Sequence, residues 1–524
     1  MSCKRIALNG GWMLLMAGAS LPQAHAQAPK YAQPSGVYAK VDIEDAKKGC
    51  PGYQDGTADF HSCLHKLYEK LFLNTAISGL TVGERWDNIQ ISSTGCFDPI
   101  PENCFLASTD WFYLDDAFAV AKAHGGTVQL IITPGVDTPL WVLVQIPSCD
   151  GLLVSNGTSQ PGCGKVSIQN FQQQQRADGT VLPLPWNAVY RTQWNSFLGL
   201  LKDRYNSNSN PAFVSIAVAR PNCASDEIIL PTSAYGSSMG PLPGVAADTA
   251  WPVLIQNSFP DGDSTHWNSD QAFVDAWTQT IDDYEAIFFG VTLALSPDAG
   301  NYLPELQTTI LNQALYNLDC ASAAYPFSCA AKTDILSYFL YNYTDGPNAK
   351  ATQVGGMTAS SPVTAKNSKL GIGIGGVKLL TVVQPSLPPP APPPVLGGAE
   401  FDHPVSTGNN IQKVGCPTAT CTPPVTTEEA AYDVLTVFFH GTPAAAYYGG
   451  LTMGVGMGGC GSAPIQYLEA PYEDILNAWT LPPPTTASRI PGLGTTSLED
   501  LLNRASQDLL AMAGQGTIAP PLCP

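Results

Sequence analysis

Apolar runs rich in β-branched residues alternate along the chain with segments whose apolar residues recur at helical spacing. The runs that predict strands span residues 36–43, 78–86, 127–133, 213–218, 287–295, 335–343 and 465–468, with a glycine-rich run at 370–380 as an eighth. The predicted helices span residues 61–73, 111–124, 194–205, 274–285, 303–318, 428–439 and 498–512. Such alternation is typical of a parallel sheet covered by helices, and about eight strands predict an α/β fold of the (β/α)8 TIM-barrel type.

The first residues have the pattern of a secretory signal peptide. Lys4 and Arg5 precede a short apolar stretch at residues 12–21, which ends in Ala24-His25-Ala26. This order of charge, apolar core and small residues predicts cleavage after Ala26. The apolar core is too short to span a bilayer, and no later stretch predicts a membrane span. We expect a mature chain of residues 27–524 that is secreted or periplasmic.

The cysteines fit an oxidising compartment. Most fall into close pairs, which are Cys50/Cys63, Cys96/Cys104, Cys149/Cys163, Cys320/Cys329 and Cys416/Cys421. Spacings of this kind predict short loops pinned by disulfides. Cys223 and Cys460 lie outside these pairs, and a bond between them is a hypothesis. The sequence contains no Cys-x2-Cys pair, so we expect no metal site.

Charge and composition limit the classes of molecule that we expect the chain to bind. The net charge of −19 argues against nucleic acid as a partner, because phosphate binding needs basic patches. No G-x-G-x-x-G or P-loop pattern follows an early strand, so no nucleotide cofactor is expected. The 10 Trp and 20 Tyr residues favour sugar or peptide contacts. Nothing in the sequence specifies an oligomeric state.

A proline-rich stretch, QPSLPPPAPPP at residues 384–394, is the clearest break in composition. Such a stretch adopts extended polyproline conformation and acts as a stiff spacer. Since the chain after it still has the barrel pattern, we interpret it as a surface excursion within a single domain. The alternative is a boundary between two domains.

The strongest candidate chemistry follows the strand at residue 213. Arg220-Pro221-Asn222 ends that strand, because proline donates no ladder hydrogen bond. Asp226 and Glu227 then place two carboxylates just past a buried strand, where barrels carry their catalytic groups. Glu227 is therefore the first catalytic candidate. The alternative is an acidic turn or helix-cap residue.

Two segments, at residues 78–141 and 465–475, carry a family resemblance. SGLTVGERWDNIQ, WFYLDDAFAVAKAHGG and TVQLIITPGVDTPLW lie within residues 78–141, and IQYLEAPYEDI spans 465–475. Together with Asp226-Glu227, they resemble secreted (β/α)8 glycoside hydrolases of the β-galactosidase-like and cellulase-like group. The resemblance implies an acid/base Glu after strand four, usually preceded by Asn, and a nucleophilic Glu at the end of strand seven. Glu227 matches the first role, although Asp226 replaces the Asn and Asn222 lies nearby.

Glu469 matches the second role, on a strand that is the seventh or the eighth depending on residues 370–380. Glu473 and Asp474 are alternatives to it. The resemblance implies hydrolysis of a glycosidic bond in a carbohydrate by two carboxyls, with retention if they lie about 5 Å apart and inversion at about 6.5–9.5 Å. The competing interpretation is a carbohydrate-binding or surface barrel that has lost the chemistry.

Further residues near strand ends are predicted to bind substrate. Trp86 and Trp141 could stack on sugar faces, and Arg85 could orient a carboxylate. The remaining predicted substrate-binding residues are Asn222, Asn342 and Tyr343. Each has a structural alternative: the tryptophans could close the barrel end, and Arg85 could pair with an acid.

Overall fold

A computed structural model gives the fold of the chain. It describes residues 34–50, 57–91, 111–150, 163–168, 180–205, 210–221, 223, 254–255, 258, 271–288, 291–295, 335–341, 397–401, 426–429, 431–432, 435, 465–480, 482–488 and 493–512.

Eight parallel strands pair side by side in a closed ring. Strands β1 to β10 are Gly36–Asp42, Ile77–Arg85, Thr127–Thr133, Lys165–Ile168, Thr180–Pro183, Phe213–Ala217, Thr292–Leu295, Ile335–Tyr341, Gly397–Phe401 and Ile465–Pro471. Around the ring the order is β1-β2-β3-β6-β7-β8-β9-β10, and β10 pairs again with β1. β4 and β5 form a separate antiparallel pair.

Helices connect the strands where both sides of the connection are described. Helices α1 to α9 are Ile43–Gly49, Ala58–Leu71, Trp86–Ile89, Phe112–Ala123, Leu140–Leu143, Ala188–Tyr205, Gln271–Ile287, Tyr472–Thr480 and Leu498–Met512, and a 3-10 turn covers Gly135–Asp137. The predicted α/β class and parallel strands are confirmed. Much of the chain between β7 and β10, including the predicted helix at 303–318 and the proline-rich stretch, lies outside the described residues.

The main core lies between the strands and the helices. The helix α2 buries Phe60, Leu64 and Leu71 on one side, which follows from their spacings of four and seven residues, about one and two helical turns. They join a continuous apolar cluster that includes Leu80 and Val82 of β2. A second, smaller cluster consists of Tyr38, Ile131, Ala217 and Ala294, one residue from each of four ring strands.

One hairpin and one strand were missing from the sequence prediction, as were the helices α1, α3, α5 and α8, and one strand was misplaced. The β4–β5 hairpin lies within a stretch that the sequence indicates only as loop. Strand β9, GGAEF, contains two glycines and no apolar run, so its pattern gives no strand prediction. The strand predicted from residue 287 begins at Thr292, because helix α7 continues to Ile287.

Two of the predicted disulfides are confirmed. Cys50 bonds to Cys63 and Cys149 to Cys163, across separations of 13 and 14 residues. The other three predicted pairs lie outside the described residues, as does Cys460. Cys223 is buried six residues after the end of β6. No helix in the described part of the chain is long and apolar enough to cross a membrane.

Candidate functional site

The Glu469 carboxylate lies inside the ring of strands. Its side chain is fully buried, and its Oε1 accepts hydrogen bonds from Thr81 Oγ1 at 3.0 Å and Gln129 Nε2 at 2.6 Å. Thr81 is on β2 and Gln129 on β3, whereas β10 pairs only with β1 and β9. The two hydrogen bonds must therefore cross the interior of the ring. Both donors favour the ionised form of the carboxylate.

Register identifies the residues beside Glu469 on the neighbouring strands. Tyr38 of β1 and Glu400 of β9 are its direct partners. Tyr38 is buried and shares a hydrogen bond with Thr127, and burial raises the pKa of its phenol well above the ordinary value, with the charge of Glu469 adding to the shift. Tyr38 therefore stays neutral beside the carboxylate.

Counting strands around the ring from β1 makes β9 the seventh and β10 the eighth. Glu469 is therefore on the eighth strand, whereas the resemblance places a nucleophile on the seventh. The seventh strand carries Glu400, which the sequence prediction missed because β9 itself was missed. The only pattern that could have indicated it is an acidic residue between small and aromatic neighbours in GGAEF.

The same interior holds polar atoms that are available to a ligand. Gln129 Oε1 and Ser215 Oγ are buried and have no hydrogen-bond partner among the described residues. The two residues are in register on β3 and β6. Buried polar atoms nearly always bind a partner, so a hydroxyl group entering the ring could bond to both.

Arg85 at the end of β2 forms ion pairs. Its guanidinium contacts Asp87 through Nε at 3.0 Å and Nη2 at 2.6 Å, and its Nε lies 3.1 Å from Asp137 Oδ1. Asp137 is fully buried and also accepts a hydrogen bond from Thr133 Oγ1 at 3.0 Å. Arg85 thus pairs with acidic residues, which is the structural alternative given for it.

The two tryptophans that were predicted to stack on sugars differ in their burial. Trp86 is fully buried, with its ring centroid 5.0 Å from Trp194 and 5.7 Å from Phe197. It belongs to the core between β2 and α6, which is the structural alternative to sugar stacking. Trp141 is partly buried, and its Nε1 donates to the Gln90 carbonyl at 3.1 Å.

Glu84 is a buried carboxyl that the sequence prediction also missed. Its Oε1 accepts hydrogen bonds from Arg85 N at 2.7 Å and Asn88 Nδ2 at 2.9 Å. Burial raises the pKa of Glu84 to about 8, and the charges of Asp42 and Glu44 add to the shift. Glu84 lies three residues after Thr81, so it is on the opposite face of β2, toward the helices. It is not part of the ring interior.

The chain leaving β6 is fixed by buried groups from two helices. Arg220, only 1% exposed, donates to Asp283 Oδ2 at 2.7 Å and to the Ala276 carbonyl at 3.0 Å. Tyr190 OH donates to the Arg220 carbonyl at 3.1 Å, and Tyr284 OH donates to the Ala219 carbonyl at 3.0 Å. These contacts anchor the strand end after which Glu227 was predicted to act.

Four of the predicted site residues, Glu227, Asn222, Asn342 and Tyr343, lie outside the described residues. In the part of the chain that is described, no group of three or more His, Cys, Asp or Glu residues is arranged to hold a metal ion.

Comparison with known proteins finds solved structures that are similar to this chain. No protein-family model and no curated protein sequence matches the chain. Solved structures similar to it are glycoside hydrolases. The beta-galactosidase from the psychrophilic Marinomonas ef1 shares 12% identity at a TM-score of 0.28, over 50% of this chain and 37% of that one. The beta-galactosidase from Bacillus circulans sp. alkalophilus shares 11% at 0.27, over 51% and 37%.

Endo-glycoceramidase II from Rhodococcus sp. shares 12% identity at a TM-score of 0.28, over 70% of this chain and 78% of that one. The chain thus spans 37% of the length of each beta-galactosidase. At these TM-scores the likeness does not assign a function.

Proposed function

We propose that the chain is an exported glycoside hydrolase with a single (β/α)8-barrel domain, which cleaves a glycosidic bond with retention of configuration. Glu469 acts as the nucleophile and Glu227 as the acid/base. The observation that carries the proposal is the position of the Glu469 carboxylate inside the ring, held by Thr81 and Gln129. A nucleophilic carboxylate must be ionised and fixed in orientation, and two hydrogen bonds to one oxygen serve both needs.

The reaction would proceed in two displacements. Glu469 attacks the anomeric carbon while Glu227 donates its proton to the leaving oxygen, so the glycosidic bond breaks and a glycosyl ester forms. Water then attacks the anomeric carbon, Glu227 takes up a proton from it, and the Glu469 carboxylate leaves. Thr81 and Gln129 hold the carboxylate throughout.

Other residues would bind the sugar. Trp141, which is partly exposed, offers an aromatic face for stacking. Gln129 Oε1 and Ser215 Oγ supply a buried acceptor and a hydroxyl for substrate hydroxyl groups. We also assign substrate contacts to Asn222, Asn342 and Tyr343, on the basis of their places at the ends of predicted strands.

The second candidate function is a carbohydrate-binding barrel without catalysis. The complete burial of Glu469 favours it, because a nucleophile must contact its substrate. The two functions differ in turnover. An enzyme releases reducing sugar, whereas a binding protein retains the intact glycan.

The test of this function is a hydrolysis screen with nitrophenyl glycosides and soluble polysaccharides. We expect release of product by the wild-type chain and a loss of about 10²–10⁴-fold in the rate on polysaccharide in Glu227→Gln, since the sugar leaving group loses its proton donor. The matched control is Glu499→Gln, which makes the same change on helix α9 and should leave the rate unchanged. If the protein is retained on columns that carry an immobilised sugar but hydrolyses none of the substrates, the carbohydrate-binding function is favoured instead.

A further inference from the structure

A cavity of about 290 Å³ lies between the helical turn at residues 427–429 and the chain that connects α8 to α9. Its lining residues come from 426–429, 484–488 and 493–496, and none of them is in a strand of the ring. The cavity is therefore separate from the interior that holds Glu469. Pockets for small molecules measure about 300–1,000 Å³, so its volume suits a ligand at the small end of that range.

Hydrogen bonds fix the walls of this cavity. Glu429, which is 3% exposed, accepts from Ser488 Oγ at 2.7 Å, and this bond ties the connecting chain to the helical turn. Glu429 Oε2 also accepts from Thr426 N at 3.3 Å, and Thr426 Oγ1 accepts from Glu429 N at 3.2 Å, which together make a capping box. Ser488 N donates to the Gly494 carbonyl at 2.6 Å. Walls that are already ordered lower the entropic cost of binding a ligand.

The rest of the lining combines a carboxylate, hydroxyl groups and apolar carbons. Glu428 is partly exposed and lines the cavity. Thr486 and Thr496 add hydroxyl groups, and Pro484 and Leu493 add apolar surface. None of the described residues that line the cavity is Lys or Arg, so the carboxylate would repel an anionic ligand. This lining favours a ligand that carries several hydroxyl groups and an apolar face.

We propose that this cavity is a second carbohydrate site, which binds one neutral sugar unit. The Glu428 carboxylate accepts hydrogen bonds from hydroxyl groups of the sugar, and such charge-assisted bonds are strong. Thr486 and Thr496 bond to further hydroxyl groups, while Pro484 and Leu493 contact the C–H groups of the sugar ring. The site goes beyond the proposed hydrolysis and does not depend on it.

The test is calorimetric titration of the full chain with glucose, galactose, mannose and N-acetylglucosamine, and with methylammonium as a cationic probe. We expect at least one sugar to bind with a dissociation constant on the order of 1 mM, since so small a ligand makes few contacts. Glu428→Gln should weaken this binding about tenfold, because the acceptor loses its charge. The matched control is Glu499→Gln, the same change in the first turn of α9, which should bind as wild type does.

A second variant blocks the cavity without removing a polar group. Ala487 is exposed and lines the cavity, so Ala487→Trp should fill the space and abolish sugar binding in a chain that still folds. Thermal unfolding of each variant checks folding. Equal binding by wild type, Glu428→Gln and Ala487→Trp would mean that the sugar binds elsewhere, and would overturn the site.

Two other results would also overturn it. One is the failure of all the sugars to bind, and the other is binding of methylammonium in their place, which would show a cation site. Neither Glu428→Gln nor Ala487→Trp should change the rate in the hydrolysis screen. Sugar binding lost in these variants with no hydrolysis by wild type would keep this site and remove the proposed enzyme, whereas hydrolysis without binding at the cavity would do the reverse.

Discussion

Replacing Asp283 with alanine is expected to lower the free energy of unfolding by about 3–5 kcal/mol. Asp283 accepts from Arg220 Nη1 at 2.7 Å and from Arg191 Nη2 at 2.7 Å. Arg220 is 1% exposed, so loss of Asp283 leaves a buried guanidinium without its carboxylate partner. The measurement is denaturant unfolding of the variant and the wild type at pH 7.

An exposed ion pair provides the control. Asp203 lies 3.6 Å from Lys202, and both side chains are largely exposed, so Asp203→Ala should change stability by less than about 1 kcal/mol. Arg220→Met in the Asp283→Ala background should restore part of the loss, since it removes the buried charge. Equal effects of the two aspartate substitutions would contradict the buried-charge explanation.

The Asp283 pair also predicts a dependence on pH. Burial raises the pKa of Asp283, but hydrogen bonds from Arg191, Asn195 and Arg220 outweigh that effect and hold the pKa at about 2. A lowered pKa in the folded state stabilises the fold above the ordinary value near 4. That contribution is lost as pH falls toward 2.

Replacing Glu84 with glutamine is expected to stabilise the fold at neutral to mildly alkaline pH. Burial raises the pKa of Glu84 to about 8, with Asp42 and Glu44 adding to the shift. The folded state therefore binds a proton that the unfolded chain has lost, and stability falls as pH rises from about 4.5 to 8. Each unit of pKa difference corresponds to about 1.4 kcal/mol, so the gain at pH 8 should reach a few kcal/mol.

Glutamine keeps the shape of Glu84 and cannot ionise, so the difference from wild type should grow from pH 5 to pH 8. Neighbouring Glu44 supplies a control of opposite sign. Burial raises the pKa of Glu44, but the hydrogen bond and charge of Lys47 lower it overall. Glu44→Gln should therefore slightly destabilise the fold at neutral pH. A Glu84→Gln difference that does not change with pH would contradict the assigned proton.

Elements with strong periodicity were predictable from the sequence. The run TVQLIIT predicts the strand Thr127–Thr133, and helical spacing predicts the helix Leu498–Met512, each with the observed bounds. In both cases a purely local pattern matches what tertiary packing requires. Strand β9 has no such pattern. Its residues do not indicate a strand by themselves, and its pairing with β8 and β10 provides the strand conformation.

The candidate site was predictable only in part. Glu469 was identifiable because it follows an apolar run, but its donors were not, since Thr81 and Gln129 lie 388 and 340 positions away in the sequence. The position of Trp86 could not be predicted from its place in the sequence. An aromatic residue at a strand end is compatible with sugar stacking or with the core, and the packing of Trp194 and Phe197 from α6 decides for the core.

The most direct test of the proposed enzyme compares hydrolysis of nitrophenyl glycosides by wild type and by Glu469→Gln, with thermal unfolding of both chains as the check on folding. We expect a folded variant whose rate falls on the order of 10³-fold or more, because the amide cannot form the glycosyl ester. A folded variant that hydrolyses as fast as wild type would contradict the role of Glu469 as the nucleophile.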